Sequence, residues 1–147
     1  VGGMEGVIRF SGGFETTARV LSKRLRSPRK VNLISQLFFD NSAYYRFLER
    51  ARIAGINVPI EAGIMPVTNK RQIERMVSLC GASLPPKFVK IMQRYESKPE
   101  ALRDAGIAYA VEQIVDLLAN GVDGIHLYTM NNPTVAKKIT RAVETLL

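Results

Sequence analysis

Three short apolar runs, each followed by segments of helical periodicity, constrain this chain more than any other feature. The first run, VNLISQLFF from Val31, is rich in β-branched and aromatic residues and reads as a buried strand. Asp40, Asn41 and Ser42 follow it, all side chains that cap helix N-termini. Tyr44, Phe47, Leu48 and Ala51 then fall at i, i+3, i+4 and i+7, which predicts a helix over 42–54 closed by Gly55. VPIEAGIMP gives a second strand over 59–64, stopped by Pro66. Thr68 or Asn69 caps a helix with Ile73, Met76, Val77 and Cys80 on one side, ended by Gly81. Ser83 and Pro85–Pro86 open another helix, whose apolar residues are Phe88, Val89, Ile91 and Met92. A longer helix runs from Pro99 to Ala119 and stops at Asn120–Gly121. GVDGIHLYT supplies a third strand over 124–128, and Asn131–Asn132–Pro133 caps a last helix bearing Val135, Ala136, Ile139, Ala142, Val143 and Leu146.

The order β-α-β-α-α-α-β-α predicts an α/β fold with parallel strands joined by right-handed crossovers. The strands are nearly continuous in apolar residues, as expected when both faces are covered. Periodicity alone leaves two architectures open, a doubly wound sheet and part of a barrel. A complete (β/α)8 barrel needs about 200–250 residues, and this chain has 147. The 46% apolar and 23% charged content is that of a globular chain with one core. The N-terminus lacks the pattern of a secretory signal, and no apolar run is long enough to span a membrane. A single cysteine and a single histidine exclude a disulfide framework and a structural zinc site built from this chain alone. A cytoplasmic, metal-free protein is the expectation.

The formal charge of +8 is unevenly spread. Residues 1–30 carry seven basic side chains and two acidic ones, with the stretch KRLRSPRK interrupted by Pro28. A weak helical pattern covers 15–25. Such a run attracts phosphates, but no aromatic stacking platform accompanies it, which argues against a nucleic-acid module. A solvated arm is the simpler reading.

In parallel α/β proteins ligands sit at the C-terminal ends of strands. This rule selects residues 35–40, 63–69 and 128–132. All three zones are poor in strong acids, bases and nucleophiles and rich in amides, sulfur and aromatic rings, a composition suited to recognising a flat heteroaromatic molecule. Gln36 is the most informative residue. A glutamine in an apolar strand costs about 1–3 kcal/mol unless its amide is satisfied, and its paired donor and acceptor match the polar edge of a pterin or purine. A backbone hydrogen bond across the sheet would satisfy it equally. Gln72 lies early in the helix after the second strand, over the same mouth or facing solvent. Glu61 reads as a paired structural carboxylate or a general acid, and His126 as a hydrogen-bonded core histidine. The VGGMEG glycines do not follow a strand as a phosphate-binding loop requires.

Four blocks, QLFFD at 36–40, EAGIMPVTNKRQI at 61–73, GIAYAVEQIVDLL at 106–118 and GIHLYTMN at 124–131, closely resemble the methylenetetrahydrofolate reductases. The match covers residues 31–147 in the family's order and spacing. It implies three parallel strands with their helices from the C-terminal part of a (β/α)8 TIM barrel, an incomplete barrel. It also implies FAD as cofactor and NAD(P)H as electron donor. The implied reaction is reduction of 5,10-methylenetetrahydrofolate to 5-methyltetrahydrofolate in one-carbon and methionine metabolism, with the flavin supplying the chemistry. Carried over residue by residue, Gln36 and Gln72 match substrate-binding glutamines. Tyr128 and Met130 fall in the strand-end segment near the folate or nicotinamide substrate. Lys23 and Arg24 echo basic flavin-contacting positions. Met76 stands where some members have an aromatic residue that stacks on substrate, and Asn132 where some have an arginine. The first half of the barrel, which carries the general acid and most of the flavin site, has no counterpart here. Residues 1–30 read as foreign to the family, as a truncated or frame-shifted reading would produce. A homo-oligomer or a complementing N-terminal half would then complete the barrel.

Overall fold

The computed structural model describes residues 32–80 and 84–147. The expected helix over 15–25, Lys23, Arg24, Gly81, Ser83 and the side chains of Met76 and Cys80 lie outside what is described. Strands β1 (Leu33–Leu37), β2 (Ile60–Ile64) and β3 (Ile125–Leu127) alternate with helices α1 (Asn41–Ile53), α2 (Lys70–Cys80), α3 (Pro86–Tyr95), α4 (Pro99–Ala119) and α5 (Pro133–Val143). A short 3-10 turn, Glu144–Leu146, ends the chain. Each element of the expected order is present, the outer strands being trimmed by one or two residues at their ends.

The helix boundaries follow from local chemistry. Asp40 caps α1, its carboxylate accepting from the Ser42 amide at 2.9 Å. Asn69 caps α2 by accepting from the Gln72 amide at 2.9 Å, and Asn132 caps α5 by accepting from Val135 at 3.2 Å. Pro86, Pro99 and Pro133 occupy first-turn positions, where a missing N–H costs nothing. Gly55 and Gly121 leave α1 and α4 at φ of 80° and 71°, a region that favours glycine.

The sheet order is β1-β2-β3, all parallel. Leu33, Ile60, Ala62 and Ile64 lie on one face and pack with Tyr44 and Ala51 of α1, Ile107, Ala110, Ile114 and Leu117 of α4, and Val135, Ile139 and Val143 of α5. Each large aliphatic side chain so buried contributes about 1.5–3 kcal/mol. All three packing helices therefore share one face, and strand order follows chain order with no switch point. A doubly wound sheet would place helices on both faces. The arrangement is one arc of a (β/α)8 barrel, with the sheet unclosed.

The opposite face breaks the expectation of two covered faces. Glu61, His126 and Tyr128 on it are half-buried, and β1 and β3 are edges among the described residues. At the N-terminal end of the sheet, Arg52 donates to the carbonyls of Ile56 and Val58 at 2.8 and 2.9 Å and pairs with Asp123 at 3.2 Å. Asp123 in turn accepts from the Ile60 amide at 2.9 Å. This end is tied together for stability. A second apolar cluster, Leu37, Phe39, Met65, Val67, Ile73, Phe88, Met92 and Leu102, seats α2, α3 and the start of α4 against the strand ends. Phe39 stacks on Phe88 with ring centroids 4.5 Å apart.

Candidate functional site at the strand ends

The pairing of β1 with β2 carries the first clue. Ile34 lies opposite Glu61 and Leu37 opposite Gly63, so β1 advances one residue more than β2 across Ser35–Gln36. A bulge of this kind breaks the ladder and re-aims a side chain. Ser35 is built into the gap: its hydroxyl accepts from the Gly63 amide at 2.9 Å and donates to the Gln36 carbonyl at 2.9 Å. Gln36 is exposed. Neither a buried amide nor a cross-sheet backbone bond describes it among the described residues, because the bulge and the open face leave its side chain to solvent.

Tyr128 closes over the same bulge from the other edge. Its amide donates to the Ile64 carbonyl at 2.8 Å, extending the β2–β3 pairing by one step. Its hydroxyl donates to the Ser35 carbonyl at 3.3 Å. The ring crosses β2 at Gly63: a Cβ built there would lie 2.9 Å from ring atom Cε2 and 2.6 Å from the Ser35 carbonyl oxygen. Gln36 and Tyr128 are therefore at one end of the sheet, as the strand-end rule requires. The residues joining them, Ser35 and Gly63, open the strand-end zones selected from sequence but were given no role there. The signal was available in Gly63, since a glycine inside a strand marks a bulge or a close approach.

The other two expected site residues sit differently. Gln72 Oε1 accepts from the amide and hydroxyl of Thr68, at 3.1 and 2.9 Å. Its acceptor is thus spent on the entrance to α2. Met130 is 55% exposed and has φ of 51°, followed by Asn131 at 60°. The Asn132 amide returns to the Thr129 carbonyl at 3.0 Å, so two consecutive non-glycine residues occupy the left-handed region in one tight turn. Such strain, of order 1–3 kcal/mol per residue, concentrates at ligand clamps.

His126 is not the core histidine expected. Its side chain is 35% exposed, on the open face opposite Gly63. Nδ1 lies 3.9 Å from Glu61 Oε2, and the imidazole meets the Tyr128 ring edge-on with centroids 4.7 Å apart. Their pairing depends on the register between β2 and β3, which the sequence does not state.

A polar cluster joins the β1–α1 connection to α4. Gln113 donates to the Phe38 carbonyl at 3.2 Å, Tyr109 to the Phe39 carbonyl at 2.6 Å, and Asn41 to Asp116 at 2.7 Å. Tyr45 donates to the same Asp116 carboxylate at 2.6 Å. The Tyr45 and Asn41 hydrogen bonds hold the Asp116 carboxyl below its ordinary range. Burial, with the Asp116 carboxylate beside it, pushes Tyr45 up to about 12. A cleft of about 320 Å³ opens here, lined by Asn41, Tyr109, Gln113 and Asp116 among others. A smaller cavity of about 130 Å³ lies among Ile73, Phe88, Met92 and Leu102. Neither is lined by Gln36, Gln72, Tyr128 or Met130.

Comparison with known proteins gives this face its context. The family model described as methylenetetrahydrofolate reductase matches residues 30–144. The chain is 34% identical over 99 residues to methylenetetrahydrofolate reductase (NADH) 1 of Arabidopsis thaliana, covering 67% of this chain and 17% of that protein. It is 31% identical over 107 residues to methylenetetrahydrofolate reductase 1 of Schizosaccharomyces pombe, covering 73% and 18%. It is 30% identical over 106 residues to 5,10-methylenetetrahydrofolate reductase of Escherichia coli, covering 72% and 36%. The aligned region thus spans about a sixth of the eukaryotic relatives and about a third of the bacterial one. With the family model matched over residues 30–144 and three parallel strands flanked by helices, the chain belongs to the methylenetetrahydrofolate reductase family.

Proposed function

We propose that this chain carries the folate- and nicotinamide-facing part of a methylenetetrahydrofolate reductase, reducing 5,10-methylenetetrahydrofolate to 5-methyltetrahydrofolate with electrons from NAD(P)H. One observation supports the reading above the others: Gln36 and Tyr128 stand at the same end of the sheet, linked through Ser35, beside the strained Met130 turn. Gln36 offers an exposed donor and acceptor to the edge of a pterin or nicotinamide amide. Tyr128 supplies an aromatic face, and Met130 an adaptable apolar one. The Gln72 amide N–H2 adds a donor on the α2 side. No described helix is long and apolar enough to cross a membrane.

FAD, when bound, supplies the hydride transfer between nicotinamide and folate. The described face fits the ring side of such a site. The strands that form it carry Gln36, Glu61, Gly63 and His126 and no lysine or arginine, so they suit a flat ring better than a diphosphate. The charge of Lys23 and Arg24 is proposed to attract the phosphate side, although both lie in the segment placed outside the family portion. Residues 1–30 are proposed to lie outside the family portion, and strands from a second copy or a complementing half to pair with the β1 and β3 edges.

Titration of the purified chain, with and without FAD, with NADH and with 5-methyltetrahydrofolate tests this. Binding of either ligand that is lost in Gln36→Ala is the expected result. A chain that takes up no flavin and binds neither ligand contradicts the proposal.

A further inference from the structure

Resting on the ligand site just proposed, we propose that His126, with Glu61 beside it, is a positioning residue for Tyr128 and, through it, for Gln36. One continuous set of contacts crosses this face of the sheet. Glu61 of β2 and His126 of β3 are the charged or ionisable side chains that the three strands place there, and they approach to 3.9 Å at Nδ1. Glu61 also packs beneath Gly124, where a Cβ would come within 3.1 Å of its Cγ, so its aliphatic stem is confined. The imidazole so placed stands against the Tyr128 ring at 4.7 Å and 67°, an edge-to-face geometry that fixes ring orientation.

Tyr128 is positioned from several sides, His126 being one of them. It lies one step beyond the end of β3, and its ring leans back over Gly63 to bring the hydroxyl to Ser35. The hydroxyl contact at 3.3 Å is long for an O–H donor, and the ring also packs against the second apolar cluster. The His126 edge blocks the ring from swinging back along β3. The Ser35 carbonyl that receives the hydroxyl belongs to the peptide that carries Gln36 into the bulge, so the ring's position and the amide's position are set together. Neither Glu61 nor His126 has to touch the ligand for this.

The test uses the full chain and its single histidine, whose imidazole C–H protons give one assignable set of NMR signals. In the ligand-free protein these signals shift when Tyr128→Leu removes the ring current. In titrations with NADH or 5-methyltetrahydrofolate, His126→Ala weakens binding about tenfold, whereas His126→Phe, which restores a ring edge, recovers most of the affinity. Glu61→Ala gives an intermediate loss. Histidine signals indifferent to Tyr128→Leu overturn the proposal whatever the ligands do. Affinity unchanged in His126→Ala, or not recovered in His126→Phe, overturns it as well. If the wild-type chain binds neither ligand, the functional reading fails, and the NMR comparison alone decides whether His126 supports Tyr128.

Discussion

Tyr128 and Ser35, 93 residues apart in the chain, meet across the middle strand at 3.3 Å. The contact exists because Gly63, between them, has no side chain. A methyl group there would lie 2.6 Å from the Ser35 carbonyl and 2.9 Å from the Tyr128 ring. The backbone contact cannot be relieved by rotating a side chain. Gly63→Ala is therefore expected to cost about 1–3 kcal/mol through overpacking and to displace Tyr128, with loss of ligand binding. The double variant Gly63→Ala/Tyr128→Ala recovers only part of that stability, since the Ser35 clash remains. Urea unfolding of both variants measures the difference, and full recovery in the double variant would mean that β1 yields freely.

Met130 tests whether strain in the Thr129–Asn132 turn serves binding rather than folding. A left-handed conformation costs a non-glycine residue about 1–2 kcal/mol, and Met130, 55% exposed at φ 51°, gains little burial in return. Met130→Gly relieves the strain but adds freedom to the unfolded chain, worth about 0.5–1 kcal/mol. The expected net is a thermal midpoint unchanged or raised by about 2–4 °C, together with weaker binding of NADH and 5-methyltetrahydrofolate. A lowered midpoint would assign Met130 to packing.

What sequence reading delivered here divides by physical cause. The strands, the helices and their caps were legible because they depend on near neighbours: Asp40, Asn69 and Asn132 cap the helices that follow them, and Gly55 and Gly121 end theirs. The barrel arc was not legible from periodicity, since one-sided helix packing is a long-range property. The resemblance to the family supplied it, and the shared face of α1, α4 and α5 agrees. The strand-end rule selected Gln36 and the segment that holds Tyr128, and the two stand at one end of the sheet. The Ser35 bulge and the Glu61–His126 pair were not legible, because both arise from register between strands. Gln72 was assigned to substrate, yet its acceptor is engaged by Thr68, a local bond that its spacing four residues on made available.

Gly106 sets the distance of α4 from the strand ends. A Cβ at this position would fall 1.7 Å from the Val67 carbonyl oxygen, inside a helix that is otherwise regular. Alanine is the better helix former by about 1 kcal/mol, so intrinsic propensity favours Gly106→Ala. The clash is with backbone and forces the whole helix outward, away from Leu102, Ile107 and Ala110 contacts. The expected outcome is a net loss of about 2–4 kcal/mol, read by denaturant unfolding. A stabilised variant would show that α4 and the Val67 segment separate easily.

Asp116 and Tyr45 make a pH-dependent tie between α4 and α1, and the two partners predict opposite limbs. The Tyr45 and Asn41 hydrogen bonds lower the Asp116 carboxyl in the folded protein. Its contribution is therefore present above the unfolded aspartate value of about 3.9 and is lost as pH falls through the folded value. Because Asp116 is exposed, solvent screening keeps that contribution small. Tyr45 is raised to about 12, by burial first and by its bond to Asp116 second. Its contribution is fully present below the unfolded tyrosine value of about 10 and is lost as pH rises through the folded one. Burial also raises Tyr44 and Tyr109, so the alkaline decline belongs to three tyrosines together. Tyr45→Phe is expected to lower stability at neutral pH while making the decline between about pH 10 and 12 shallower. Asp116→Asn flattens the acid limb and leaves the contribution of Tyr44 untouched. Urea midpoints for wild type and both variants across the acid, neutral and alkaline ranges check the signs; parallel profiles for all three would show that this pair adds nothing to folding.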